Sequence, residues 1–158
     1  MEKAIATVII TVASIAAILT VLDALMPAIS RTNSSIVSAA DNVDSRISTQ
    51  IDIIHATGAD GSPTVDAWAK NVGGIVIEPL NRLDVFFGPP DNFVRIPYGT
   101  GGCASPCWTY TVENDTNWTP TSTIRITVTA GSNLTSGNTY YLKVVAPNGI
   151  SDARYFTV

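Results

Sequence analysis

The sequence predicts an α+β chain, with one long N-terminal α-helix, apolar and then amphipathic, followed by an all-β immunoglobulin-like sandwich head. Three observations carry this. An uncharged run from Ala4 to Leu22 (AIATVIITVASIAAILTVL) passes, across Asp23 and Pro27, into a stripe of apolar residues at helical spacing. Beyond Gly58 the pattern changes to short apolar segments bounded by Gly, Pro, Asn or Asp. Near the end, Leu134-Thr-Ser-Gly137-Asn-Thr-Tyr140 has the form of a tyrosine corner, in which a Tyr at the start of a strand bonds back to upstream backbone. The same Tyr140 also fits an ordinary core position.

Ala4–Leu22 makes roughly 28 Å of helix, close to the thickness of a bilayer's hydrocarbon layer. A secretory signal would show a basic start, a shorter apolar region and a small-residue cleavage site. Here Lys3 is the only basic residue before the run, and the run continues into more helix. From Pro27 to Thr57 the residues Ile29, Ile36, Val43, Ile47, Ile51 and Ile54 keep to one helical stripe, with Arg31, Asn33, Asp41, Arg46 and Gln50 on the other faces. Gly58 is the expected C′ stop. Residues 1–58 therefore read as one helical rod of roughly 80 Å, in which Pro27 bends the join without ending it. Residues 59–158 read as the head, about 100 residues, enough for one small core.

Eight strands are expected in the head, at Val65–Val72, Ile75–Ile77, Leu83–Phe87, Phe93–Ile96, Trp108–Glu113, Thr123–Thr129, Thr139–Val145 and Arg154–Val158. The clearest alternation is Thr123-Ile-Arg-Ile-Thr-Val-Thr129, which turns Ile124, Ile126 and Val128 to the core. Pro147-Asn148-Gly149 is turn chemistry that makes the last two strands a hairpin or close neighbours.

Composition excludes several functions. Net charge is −4, only 14% of residues are charged, and no Lys/Arg cluster occurs, which argues against nucleic acid and against a polybasic membrane anchor. The Ser/Thr-rich second half suits an extracellular surface. Cys103 and Cys107 are the only cysteines, separated by Ala-Ser-Pro in a Gly-rich loop, and stand as either a disulfide or two thiols. Zinc would need further Cys or His, and the single His55 falls on the expected helix. A membrane-crossing N-terminus places the head in an oxidising exterior, which favours a disulfide. Closing so short a loop gains little chain entropy, so the bond's role is to stiffen the loop beside Trp108.

Asn33-Ser34-Ser35, Asn114-Asp115-Thr116, Asn117-Trp118-Thr119 and Asn133-Leu134-Thr135 fit the N-glycosylation pattern, or are unmodified surface Asn in turns. A glycan on Asn33 would crowd helix packing. No nucleophile–base pair is evident, because His55 is remote in sequence from both cysteines. Glu113, Asn114, Asp115 and Asn117 supply oxygens but match no calcium-loop order and read as a plain loop. Gly73-Gly74 and Gly101-Gly102 open no helix that would hold phosphate. The chain thus reads as neither an enzyme nor a holder of metal or cofactor.

The plan of apolar helix, amphipathic continuation and small sandwich resembles archaellins, the archaeal-type flagellins, and their relatives in the type IV pilin superfamily, over the whole chain. Four segments resemble most the archaellum accessory protein G group, with archaellins proper close behind. They are Val65-Asp-Ala-Trp-Ala-Lys-Asn-Val-Gly73, Leu83-Asp-Val-Phe-Phe-Gly88, Phe93-Val-Arg-Ile-Pro-Tyr98 and Tyr141-Leu-Lys-Val-Val-Ala-Pro-Asn-Gly149. Family members are made with a short basic leader cut before the apolar helix. No such leader is visible here, so Met1 reads as the mature terminus or the leader as minimal. Ile5 stands where type IV pilins carry Glu, which favours the archaellum branch.

The resemblance implies a mechanical role. The chain would sit in the membrane as a precursor and then join copies of itself in a helical filament. A core of Ile5, Val8, Ile9, Ala13, Ile15, Ala16, Ile18 and Leu19 would drive assembly, each long aliphatic side chain contributing roughly 1.5–3 kcal/mol if fully buried. A motor platform and a prepilin-type peptidase are implied as partners. The first expectation is a filament subunit for motility at the cell surface. The alternative is an accessory or stator protein anchored by the same helix, whose head binds the cell envelope.

Overall fold

The computed structural model describes residues 2–100 and 103–158. Met1, read above as a terminus, and Gly101-Gly102, read as part of the Gly-rich loop, lie outside the described residues. The chain divides into two compact units, Met1–Val43 and Asp44–Val158.

Helix α1 runs Glu2–Ser48, 47 residues with Pro27 inside it, or about 70 Å at the helical rise. Every hydroxyl in the apolar run is satisfied by the helix itself. Thr7 donates to the Lys3 carbonyl, Thr11 to Val8, Ser14 to Ile10 and Thr20 to Ala17, all at 2.8 Å. Such back-bonding leaves no side-chain donor seeking a partner, which is what a helix in a water-free surrounding requires.

The helix stops ten residues short of the expected Gly58, which corrects the predicted 1–58 rod. Ile51–Gly58 is instead strand β1, antiparallel to β2 (Thr64–Asn71). The helical spacing of Ile47, Ile51 and Ile54 is not used: β1 buries Ile51, Ile53 and Ala56, and a bulge between Ile53 and His55 breaks its period of two and leaves Ile54 exposed. Three β-branched isoleucines prefer the sheet. His55 accordingly lies on a strand, beside Trp68.

The helix end is closed by the head's own backbone. Gly74 donates its N–H to the Ser48 carbonyl at 2.8 Å, and Val72 and Gly73 donate to the Gln50 carbonyl. Gly73 must be glycine, since a Cβ there would stand 2.5 Å from the Ser48 carbonyl oxygen. The buried Thr49 accepts from the Asn148 amide at 2.7 Å.

The remaining strands are β3 (Asp84–Gly88), β4 (Val94–Ile96), β5 (Cys107–Glu113), β6 (Thr123–Thr129), β7 (Thr139–Val145) and β8 (Ser151–Thr157). They form two antiparallel sheets, in orders β1-β2-β6-β5 and β4-β3-β7-β8. The orders match the ABED and CFG sheets of an immunoglobulin-type sandwich, with β4 added beside the C-equivalent strand. The expected alternation on β6 holds, with Ile124, Ile126 and Val128 fully buried opposite Val65, Ala67 and Ala69 of β2 and in one core with Leu142 and Val144 of β7.

The expected strand at Ile75–Ile77 reduces to a single bridge between Ile77 and Trp118. Its backbone is used elsewhere. The Ile75 carbonyl accepts from the side chain of the fully buried Asn71, and Gly74 is committed to the helix end. The hairpin β7–β8 forms as expected around Pro147-Asn148-Gly149, where Gly149 takes φ +86°.

Tyr140 is the second residue of β7, the F-equivalent strand, and its hydroxyl accepts from the Thr135 N–H at 3.0 Å. This is the corner reading of Tyr140, and its ring also stacks on Phe87 in the core. Tyr140→Phe should lower head stability by about 1 kcal/mol, because the partly buried Thr135 N–H loses its acceptor. Urea unfolding of both proteins checks this, and an unchanged midpoint would reduce Tyr140 to packing alone.

Candidate functional site

A cleft of about 470 Å³ is lined by Phe87, Ile96, Leu134 and Tyr140 among others, and no carboxylate, thiol, imidazole or amine is among its lining residues. Among the described residues no three His, Cys, Asp or Glu side chains come together as a metal site. Two kinds of surface stand out.

The first is the helix. Ile5, Val8, Ile9, Ile15, Ile18 and Leu19 are each more than half exposed on α1, and Ala13 and Ala16 are exposed with them. A helix that is apolar on all sides and hydroxyl-satisfied within itself is stable in lipid or in a bundle of its own kind, and not as a free rod in water. The stretch is long and apolar enough to cross a membrane. Within the run, small residues recur between the branched ones and permit close backbone approach.

The second is the outer face of the β4-β3-β7-β8 sheet. Phe86, Phe93, Tyr141 and Tyr155 form a continuous aromatic row there, with successive ring centroids 6.4, 4.7 and 5.0 Å apart. Tyr155 is 62% exposed. Burial first, then the neighbouring Tyr155 and Asp152, push the Tyr141 hydroxyl above its ordinary pKa. Arg95 and Asp84 flank the row as an ion pair at 2.6 Å, too exposed to add much stability. Sequence reasoning missed this row, although Phe86, Tyr141 and Tyr155 occupy the outward positions of an alternation that the core residues already defined.

The loop sites are dispersed. The Cys103 and Cys107 sulfurs are in bonding contact, with Cα atoms 5.7 Å apart, next to the fully buried Trp108. Asn33 lies on α1, and Asn33, Asn114, Asn117 and Asn133 are all exposed. Their tripeptides differ. Trp118 and Leu134, the middle residues after Asn117 and Asn133, are buried in the core, and the Thr119 hydroxyl is committed to Asp115 at 2.6 Å. Of the head's three, only Asn114-Asp115-Thr116 faces solvent throughout.

Bonds from Thr119, and then from the Thr116 N–H, hold the Asp115 carboxyl below its ordinary pKa. Loop order from this carboxylate is fully present above the usual carboxylate range and is lost as pH falls through the lowered value.

Over residues 2–156 the chain matches the family model described as archaeal-type flagellin. It is 25% identical over 164 aligned residues to an uncharacterized protein of Archaeoglobus fulgidus, covering 99% of this chain and 98% of that protein. Among solved structures it is similar to the archaellum periplasmic stator protein FlaG from Sulfolobus acidocaldarius, alone and in its complex with FlaF. Both matches have 32% identity and TM-score 0.60 over 68% of this chain, covering 99% and 89% of the matched chains. The archaeal flagellum of Methanospirillum hungatei strain JF1 matches with TM-score 0.58 over 90% of this chain and 87% of that one, at 11% identity, which speaks to the fold alone.

Proposed function

Because the chain belongs to the archaeal-type flagellin family, we propose that it is a non-catalytic archaellum component held in the cell membrane by Ala4–Leu22, with its sandwich outside as part of a stator. The observation that carries this is the 32% identity to the stator protein FlaG, against 11% to the flagellum. The helix supports an anchor by its length and its internally bonded hydroxyls. Cell-envelope material and a second stator-type head are the partners this role calls for.

The second reading is the filament subunit. It is favoured by the all-round apolar helix, which suits a polymer core as well as a bilayer. In that role Ile5, Val8, Ile9, Ala13, Ile15, Ala16, Ile18 and Leu19 pack against other copies after release from the membrane. A motor platform and a prepilin-type peptidase would then act on the chain.

In both roles the head is exposed to an oxidising exterior. The mature protein should therefore carry the Cys103–Cys107 disulfide, gaining one hydrogen per cysteine in intact mass on reduction. Free thiols in protein recovered from the cell surface would sink this. A glycan, where the host makes one, is expected on Asn114 or Asn117, and the fully exposed Asn114 tripeptide is the better substrate once the head has folded. Glycopeptide mapping reads it, and sugar confined to Asn133 would contradict it.

Anchoring is tested in cells lacking this chain. Swimming should be lost and should return with the whole protein, but not with the head secreted free of Ala4–Leu22. Rescue by the secreted head would show that the helix is dispensable and would defeat the anchored reading.

A further inference from the structure

The two sheets leave four edge strands, and an edge strand is a template for pairing with another chain. Three of the four are blunted by familiar means. Strand β4 has three residues and runs into Pro97. Strand β5 is covered by the segment before it, since Trp108 donates to the Pro97 carbonyl and Gly99 donates to the Trp108 carbonyl, both at 2.9 Å. Strand β8 carries Asp152 and Arg154 at the positions that alternate in phase with the buried Phe156. Charges at such inward positions oppose pairing.

Strand β1 is different. It has eight residues, holds Ile51, Ile53 and Ile54, and pairs only with β2. At Ile53 the N–H and C=O point away from β2, and both are taken by side chains of β8. Asp152 Oδ2 accepts from the Ile53 N–H at 2.7 Å, and Arg154 donates to the Ile53 carbonyl at 2.8 Å. The two side chains come from the other sheet, so the bonds add no strand to either. They occupy an outward donor and acceptor in the middle of this edge, immediately before the bulge that shifts the β1–β2 register.

We propose that Asp152 and Arg154 form an edge guard that closes β1 against strand addition by a second copy of this chain. The charges suit the task. A carboxylate on the N–H and a guanidinium on the C=O make stronger bonds than the neutral amide groups of a competing strand. An invading copy would also have to strip both charges of their partners. Heads carried at high density on one membrane or one filament have a constant opportunity to join edges, and β1 is the longest edge they offer. The guard is independent of which of the two roles the chain fills.

The test uses the full chain in detergent micelles, wild type beside Asp152→Ala/Arg154→Ala. Hydrogen exchange is read at the Ile53 amide, and the protein mass per particle is read by light scattering across a concentration series. In the double variant the Ile53 amide should exchange at least about tenfold faster at low concentration, and the protein mass per particle should rise towards double as concentration increases. Wild type should do neither. Wild-type protection at Ile53, or lost protection with no rise in mass, overturns the proposal, because the edge is then either closed by something else or open and not joined. If the double variant fails to fold, Arg154→Ala alone decides, since it frees only the carbonyl of a half-buried contact. Its association supports the guard, and wild-type particle mass overturns it.

Discussion

Ala13→Asp removes the chain from the membrane. Ala13 lies near the middle of Ala4–Leu22 and is exposed on a helix whose neighbours are all apolar or self-bonded. A carboxylate at the centre of a membrane helix costs about 2.5–3.5 kcal/mol by insertion measurements, and no basic residue on the described helix lies within a turn to pair with it. The expected result is loss of the membrane-bound pool on fractionation and loss of swimming, with the head still folded. If the chain served in a filament the same change would recur in every copy, and assembly would fail as well. Thr127→Ala is the contrast. Its hydroxyl bonds Asp66 on the half-exposed face of the sheet, so anchoring should be untouched. Normal membrane recovery of Ala13→Asp would mean that the apolar run is held by something other than lipid or like helices.

Trp108→Ala is the most damaging single change expected in the head. The indole is 1% exposed, next to Cys107, and lies 4.9 and 6.2 Å from the rings of Tyr98 and Tyr110. Truncating a buried Trp typically costs about 3–5 kcal/mol, a large part of the roughly 5–15 kcal/mol that holds a domain. The backbone bonds from residue 108 to Pro97 and Gly99 survive the change, so the loss is one of packing. The protein should unfold at markedly lower urea or temperature. A midpoint close to wild type would show that this end of the sandwich contributes little to the core.

The parts of the fold legible in the sequence are those governed by one uninterrupted period. Ala4–Leu22 needed only length and composition. Strand β6 needed only the alternation of Ile124, Ile126 and Val128, and the β7–β8 hairpin only Pro147-Asn148-Gly149. Tyr140 was legible because its corner is a local bond five residues back.

The misread stretches are those in which long-range pairing overrides a local pattern. The bulge at Ile53/His55 breaks the alternation of β1, so Ile51 and Ile54 show a helix-like spacing with no period of two to set against it. Ile75–Ile77 is apolar enough for a strand, but its backbone serves Asn71 and the helix end. Strand β8 starts at Ser151, three residues before the expected Arg154, since two charges at inward positions erase the alternation there. Those charges prove to be bonded to Ile53, some hundred residues earlier, a pairing that no local window contains. The aromatic row on the outer sheet face likewise joins β3, β7 and β8 with Phe93 just before β4, and becomes visible only once the strands are set side by side.

An anchored stator-type component stays in the membrane and is not the bulk of the filament. Quantitative mass spectrometry of sheared surface filaments, set against the membranes they leave behind, tests it most directly. This chain should stay with the membranes, in its disulfide-bonded form, and be at most a minor species in the filaments. Finding it as the principal protein of the sheared filaments would contradict the stator assignment and establish the filament-subunit reading in its place.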